Sequence, residues 1–308
     1  MSTNTVTDTD PNAAPEPGAD SGIELKTKRR WPVYAAIIAV VVVIAGFVGW
    51  RVLGSDTKSP NETAGATLTI VTAEGNAAEQ SLVNFIARNV APRYGITVAF
   101  KGLADSTTLN RAVSDGEVAG TVYQHKLWLS QVLAANPDFK EVAATPVFRW
   151  GFGVWSDKYA SLSQLPNGAT VSLYSDPANE AQGLWLLERA GLITLKPGTD
   201  KWKATQDDIA ANPRNLKFTL LDFAAQSRAL PDLDAAVGYT EYYLAANIDI
   251  AKQIYAPPAP DEFAGQLTIG TKWQNTDNIR KLVAAFKDPA VQNYLRTDPS
   301  VKNILLPL

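Results

Sequence analysis

The chain has no cysteine, one histidine and one methionine among its 308 residues. Without cysteine there are no disulfides, no thiolate metal sites and no cysteine nucleophile. Lipid cannot be attached through a cysteine of this sequence either. The one histidine, His125, has no H-x-x-x-H partner, so zinc-site spacing is missing. A G-x-S-x-G elbow, a G-x-G-x-x-G turn and a Walker A segment are all absent. The formal charge is only −3 and no basic patch stands out, which argues against a nucleic-acid partner. Asp207 and Asp208 form an acid pair in a polar stretch that reads as a solvated face. These absences leave no catalytic constellation. The chain is read as a non-enzyme with no cofactor and no metal.

What the chain does have is one long apolar run, Trp31 to Trp50, with no charged residue in it. Twenty helical residues rise about 30 Å, the thickness of a bilayer core. Tryptophans at both ends suit the two interfaces. Lys26, Lys28, Arg29 and Arg30 precede the run, and only Arg51 and then Lys58 follow it. The heavier positive flank stays inside. The pattern predicts a single-pass anchor in the cell membrane, residues 31–53, with the N-terminus cytoplasmic and the remainder extracytoplasmic. A cleaved signal peptide is the alternative. Its apolar region would usually be ~7–15 residues, ending in a small-x-small site. The sequence FVGWRVLGSD shows no such site. Residues 1–30 read as a disordered cytoplasmic tail and residues 54–65 as a linker.

From residue 66 onward strands and helices alternate. Strands are predicted over Thr67–Ala73, Ile96–Phe100 and Val118–Tyr123, and near Val142–Phe148 and Gly151–Trp155. After the first strand, Asn76 and Glu79 have capping-box spacing ahead of a helix with Leu82, Phe85, Ile86 and Val90 on one face. The pattern restarts after LPNGA, with strands at Thr170–Tyr174, Leu216–Leu220 and Ala235–Tyr239. Asp176 and Pro177 fit the cap and first position of a helix that stops at Gly191. A last strand, Gln266–Ile269, precedes a helix bearing Ile279, Leu282, Val283 and Phe286. Such alternation predicts an α/β chain with mainly parallel sheets in two lobes. The first lobe takes residues 66–160 and 250–308, and the second residues 161–249.

His125 closes a strand and opens a helix, where open α/β sheets place their ligand crevice. An isolated histidine is more often a capping or hydrogen-bonded structural residue. Tyr123, Trp128, Trp150, Tyr174 and Tyr239 also fall at strand ends. Each alone is ordinary core; together they fit an aromatic-lined small-molecule cleft.

Residues 67–308 resemble the NlpA/MetQ-type substrate-binding proteins of methionine-family ABC importers. The resemblance is carried by DGEVAGTVYQHKLWL (115–129), by YASLSQLPNGATVSLYSDPANEAQGLWLLERAGLITLKPGT (159–199), by ANPRNLKF (211–218) and by AAQSRALPDLDAAV (224–237). It implies a two-lobed periplasmic-binding-protein-like fold of type 2, here preceded by the single transmembrane helix. It also implies that a small-molecule ligand is held between the lobes and delivered to an ABC permease with a cytoplasmic ATPase. The family's aromatic-Gln-His-x-x-aromatic segment maps onto Tyr123, Gln124, His125 and Trp128. Its Asp-Pro-x-Asn segment maps onto Asp176, Pro177 and Asn179. The departures are specific. Gln182 occupies the position of an arginine that pairs with the ligand carboxylate in methionine-binding members. Tyr239 and Glu241 align with asparagines that hold the amino-acid backbone. The expected ligand is therefore methionine-like or related but not identical, bound by Tyr123, His125 and Trp128 on one wall and Asn179, Gln182, Tyr239 and Glu241 on the other. Arg149 is the nearest candidate for a replacement cation. The alternative function is a membrane-anchored, ligand-sensing ectodomain working with a partner membrane protein.

Overall fold

The structure, a computed structural model, describes residues 58–308. The predicted tail, the span at residues 31–50 and the start of the linker lie outside the described residues. Among the described residues no helix is long and apolar enough to cross a membrane.

Two sheets organise the described chain. The first begins with β1 (Thr67–Ala73), helix α1 (Ala77–Phe85), β2 (Thr97–Leu103), α2 (Ser106–Ser114), β3 (Gly120–His125), α3 (Lys126–Ala135) and β4 (Glu141–Trp150). One residue later β5 (Phe152–Trp155) opens the second sheet. β6 (Thr170–Tyr174), α4 (Pro177–Arg189), the short strands β7 (Thr194–Leu195) and β8 (Ile209–Ala211), β9 (Lys217–Leu221) and α5 (Phe223–Ala229) follow. β10 (Ala235–Tyr239), α6 (Thr240–Ala245) and β11 (Gln253–Tyr255) complete it. The chain then returns to the first sheet with β12 (Ala264–Gly270), α7 (Asp277–Phe286), α8 (Pro289–Thr297) and β13 (Leu305–Leu306). The strand orders are β13-β4-β12-β3-β1-β2 and β11-β5-β10-β6-β9, with β7 and β8 paired apart from both as a two-stranded ribbon.

Several predicted strands coincide with the observed ones, β1, β6 and β10 to the residue. Their central residues are buried on both faces, as helix-covered strands require. The expectation of mainly parallel sheets is only half met. β1 is parallel to β2 and β3, and β6 is parallel to β9 and β10. The strands next to the crossings, β4, β5, β11, β12 and β13, pair antiparallel. A chain that leaves one sheet and comes back must re-enter against the grain of the βα units. The same crossings move the lobe boundaries. Phe152–Trp155 and Gln253–Tyr255, counted with the first lobe in the sequence reading, are hydrogen-bonded into the second sheet.

The linker expectation also fails where it can be seen. Ser59 Oγ donates to the Gly116 carbonyl, and Asn61, fully buried, donates to that of Val118. Asn278 in turn donates to the carbonyls of Pro60 and Thr63. Polar composition suggested a free spacer, but these side chains act as brackets onto the first sheet.

Candidate functional site

A cavity of about 180 Å³ lies where the carboxyl ends of the strands converge. That is below the ~300–1,000 Å³ of drug-sized sites and suits a ligand of amino-acid size. From the first sheet it is lined by Ala73 at the end of β1, by Tyr123 and His125 at the end of β3, and by Trp150 at the end of β4. Glu79 of α1 and Trp128 of α3 complete that side. From the second sheet come Asn179, Phe223, Tyr239, Glu241 and Tyr242. Open α/β sheets leave their ligand crevice at strand carboxyl ends, because the helices that follow turn back over the sheet faces.

His125 plays both roles considered for it. Its Nδ1 accepts the Trp128 backbone N–H at 3.1 Å and so caps α3. Nδ1 is therefore bare, and the proton of the neutral ring is on Nε2, which donates to Asn179 Oδ1 across the cleft at 3.2 Å. Burial, only partly offset by the Asn179 bond, lowers the His125 pKa to about 4. The ring is neutral at physiological pH. Tyr123 is fixed by its own oxygen, which accepts from Asn110 Nδ2 and Trp128 Nε1. Burial pushes its phenol up to about 12, so it too is uncharged.

On the other wall α4 starts as expected. Asp176 caps it by accepting the Asn179 backbone N–H at 3.0 Å, and Pro177 occupies the first position. The same carboxylate takes both contacts of Asn179 Nδ2, at 2.9 and 3.0 Å. This fixes the Asn179 amide, leaving Oδ1 toward His125 and toward Tyr239 Oη at 2.6 Å. Tyr239 Oη also lies 2.7 Å from the Gln182 amide. A hydroxyl has one hydrogen to donate. Asn179 Oδ1 has only acceptor capacity and receives it, so the Gln182 amide satisfies the second contact with its NH₂ turned to Tyr239.

Six of the seven sequence-predicted residues thus line one cavity: Tyr123, His125, Trp128, Asn179, Tyr239 and Glu241. Gln182 does not. It is buried behind Tyr239, and its amide is spent on that hydroxyl. Helical spacing put Gln182 on the face of Asn179, but Tyr239 reaches over it and takes the cavity wall. Arg149 is not a replacement cation either. It pairs with Asp261 and donates to the Pro307 carbonyl, away from the cavity-lining residues.

Glu79 was missed. Its predicted capping-box role is wrong: Asn76 makes no side-chain cap bond, and Glu79 is fully buried. Its Oε1 accepts the Trp150 indole N–H at 2.9 Å, while Oε2 has no partner among the described residues. Burial raises its pKa, and Glu241, on the facing wall, is raised well above the ordinary value by burial and by the charge of Glu79. A signal for Glu79 was present. It precedes Leu82, Val83 and Ile86 by three, four and seven residues, placing an acid on a helix's buried face. Rings span the gap between the walls. Trp150 meets Tyr239 at 5.9 Å between centroids and Trp128 meets Phe223 at 6.2 Å, both edge-on.

Comparison with known proteins gives a consistent result. The family model described as NlpA lipoprotein matches residues 68–305. The D-methionine-binding lipoprotein MetQ of Escherichia coli (strain K12) is 32% identical over 272 residues, covering 85% of this chain and 93% of that protein. Among solved structures, a periplasmic substrate-binding protein of an ABC transporter from Coxiella burnetii superposes with a TM-score of 0.69 at 30% identity, over 78% of this chain and 100% of that one. A nutrient-binding protein from Burkholderia cenocepacia bound to methionine gives 0.64 at 30% identity, over 78% of this chain and 98% of its own.

Proposed function

The chain belongs to the NlpA lipoprotein family, whose members are binding proteins rather than enzymes, and from that premise we propose that it is the solute-binding component of an ABC importer. It captures a small molecule, a methionine-like amino acid or a related, non-identical ligand, between two α/β lobes. It then presents the molecule to a permease driven by a cytoplasmic ATPase. The observation that carries this reading is the cavity itself, walled by strand carboxyl ends of both sheets and by aromatic rings from each. A solute that fills it contacts both lobes at once and favours their closed arrangement.

Methionine is the ligand named for the relatives. The wall here has no arginine or lysine among its described residues, so a ligand carboxylate meets no guanidinium fork there. The family name denotes lipid anchoring, yet the sequence has no cysteine to carry lipid. Residues 31–50 take that role in this reading, as a span that holds the binding lobes on the extracytoplasmic side.

The test is ligand titration of the full chain in detergent, followed by calorimetry and small-angle scattering, with Trp128→Ala beside wild type. Trp128 is half-buried, so its loss removes a ring face from the cleft and little core. The expected result is binding with compaction in wild type, both lost in a variant that keeps its melting temperature within a few degrees. Undiminished binding by Trp128→Ala would move the site elsewhere.

A further inference from the structure

Among the described residues, the acids of the cleft have no counter-charge. Glu79 comes from α1, on the side of the first sheet, and Glu241 from α6, on the side of the second. Glu79 borders the cavity and is fully buried, and its Oε2 has no hydrogen-bond partner among the described residues. Glu241 is half-buried and accepts no hydrogen bond from a described group. Among the described residues no lysine or arginine belongs to the cavity wall, and His125 is held in its neutral form by the two bonds already described. Buried carboxylates are tolerated when paired. In this cleft the protein supplies aromatic faces where a pairing cation would be expected. Trp128, Trp150, Phe223, Tyr239 and Tyr242 all border the same space. Faces of this kind attract positive nitrogen and offer nothing to a carboxylate.

We propose that the ligand of this cleft is a net organic cation: a small amine or ammonium, without a free carboxylate, whose nitrogen sits between the Glu79 and Glu241 carboxylates against the tryptophan and tyrosine faces. This rests on the reading of the cleft as a solute site and narrows its substrate class. A zwitterionic amino acid satisfies half of the arrangement, because its ammonium finds the acids. Its carboxylate is then left in a cavity that already holds two acids and no base. Removing the carboxylate charge and keeping the amine removes that conflict. The pKa values of both acids are raised by burial, and that of Glu241 also by the Glu79 charge, as expected of an acid pair awaiting a counter-ion.

The experiment compares L-methionine with L-methioninamide, which has the same side chain and amine but no carboxylate charge. Both are titrated into the full chain in detergent by calorimetry, on wild type and on Glu241→Gln, with melting temperatures confirming that the variant is folded. The expected result is binding of the amide at least ~10-fold tighter than methionine, with the preference falling to within about threefold in Glu241→Gln. Methionine binding as tightly as the amide, or tighter, overturns the cation while leaving the solute site standing. Native mass spectrometry on the same preparation adds an independent arm. A retained molecule with a free carboxylate or no basic nitrogen also overturns the cation alone. No retained ligand and no response to either probe overturns both the cation and the solute site.

Discussion

His125 shows how one side chain can serve fold and site together. Nδ1 caps α3 and Nε2–H reaches Asn179 on the other lobe, so the ring needs to be neutral. Its pKa of about 4 lies below the 6.5 of the free group. As pH falls, the unfolded chain takes up the proton first. The stability contributed by neutral His125 is complete above pH ~6.5 and is lost progressively down to about pH 4, amounting to ~3 kcal/mol. Glu79, Glu141 and Glu241, whose pKa values are raised chiefly by burial, work in the opposite direction over part of this range, so the whole-protein profile blends them with His125. Comparison with His125→Asn isolates the histidine, because asparagine still caps a helix. Urea denaturation between pH 7 and pH 4 should show wild type losing up to ~3 kcal/mol relative to the variant; parallel profiles would refute a neutral buried imidazole. Gln182 teaches the complementary lesson. The sequence placed it correctly on a helix face, and a neighbour of unknown reach, Tyr239, decided what it touches.

At the scale of elements, α4 carries the second wall through its first turn. Asp176 caps the helix and at the same time clamps the Asn179 amide, which then receives both His125 and Tyr239. Replacing Asp176 with alanine removes the cap, at a cost of about 1 kcal/mol. It also frees the amide, so ligand affinity should fall together with stability. Thermal melts and calorimetry on one preparation check this, and an unchanged affinity would show that Asn179 is ordered without its clamp. The cap was readable because Asp-Pro before an apolar run has one local meaning, and so was the stop, where Gly191 takes φ +71°. The first helix was misread for the same local reason. Asn76 and Glu79 have the spacing of a capping box, but Trp150, distant in sequence, claims the glutamate.

At the scale of the whole molecule, the passage between sheets runs through Gly151, between β4 and β5. Its N–H donates to the Ile304 carbonyl and its own carbonyl accepts from Thr240 N–H, tying the C-terminal segment to the second sheet. A Cβ there would stand 2.2 Å from the Asn303 carbonyl oxygen and 2.6 Å from Thr240 Oγ1. Backbone on one side cannot yield, so Gly151→Ala should cost about 1–3 kcal/mol by overpacking and change the lobe arrangement. Scattering of the ligand-free variant, together with its melting temperature, checks this; wild-type values for both would show that the crossing has slack. The anchor has its own test. With residues 31–50 spanning the membrane, the mature protein keeps its N-terminal tail and stays with the membrane after a high-salt wash. A soluble form starting near Leu53 would identify a cleaved signal instead.

The sequence by itself determined the alternation of strands and helices, the caps of α4 and the group of side chains at strand ends. Each of these follows from short-range periodicity or from residues a turn apart. It also carried the family resemblance, through segments such as residues 115–129 and 159–199. Tertiary structure alone decided which sheet received β5 and β11, that Ser59 and Asn61 bracket the supposed linker, and that Gln182 faces a tyrosine rather than the cavity. It alone brought Glu79 and Glu241 to one cavity from positions 162 residues apart, 241 minus 79. Periodicity tells which face of an element is buried. What that face meets depends on the packing of elements far apart in the chain, and no local pattern encodes it.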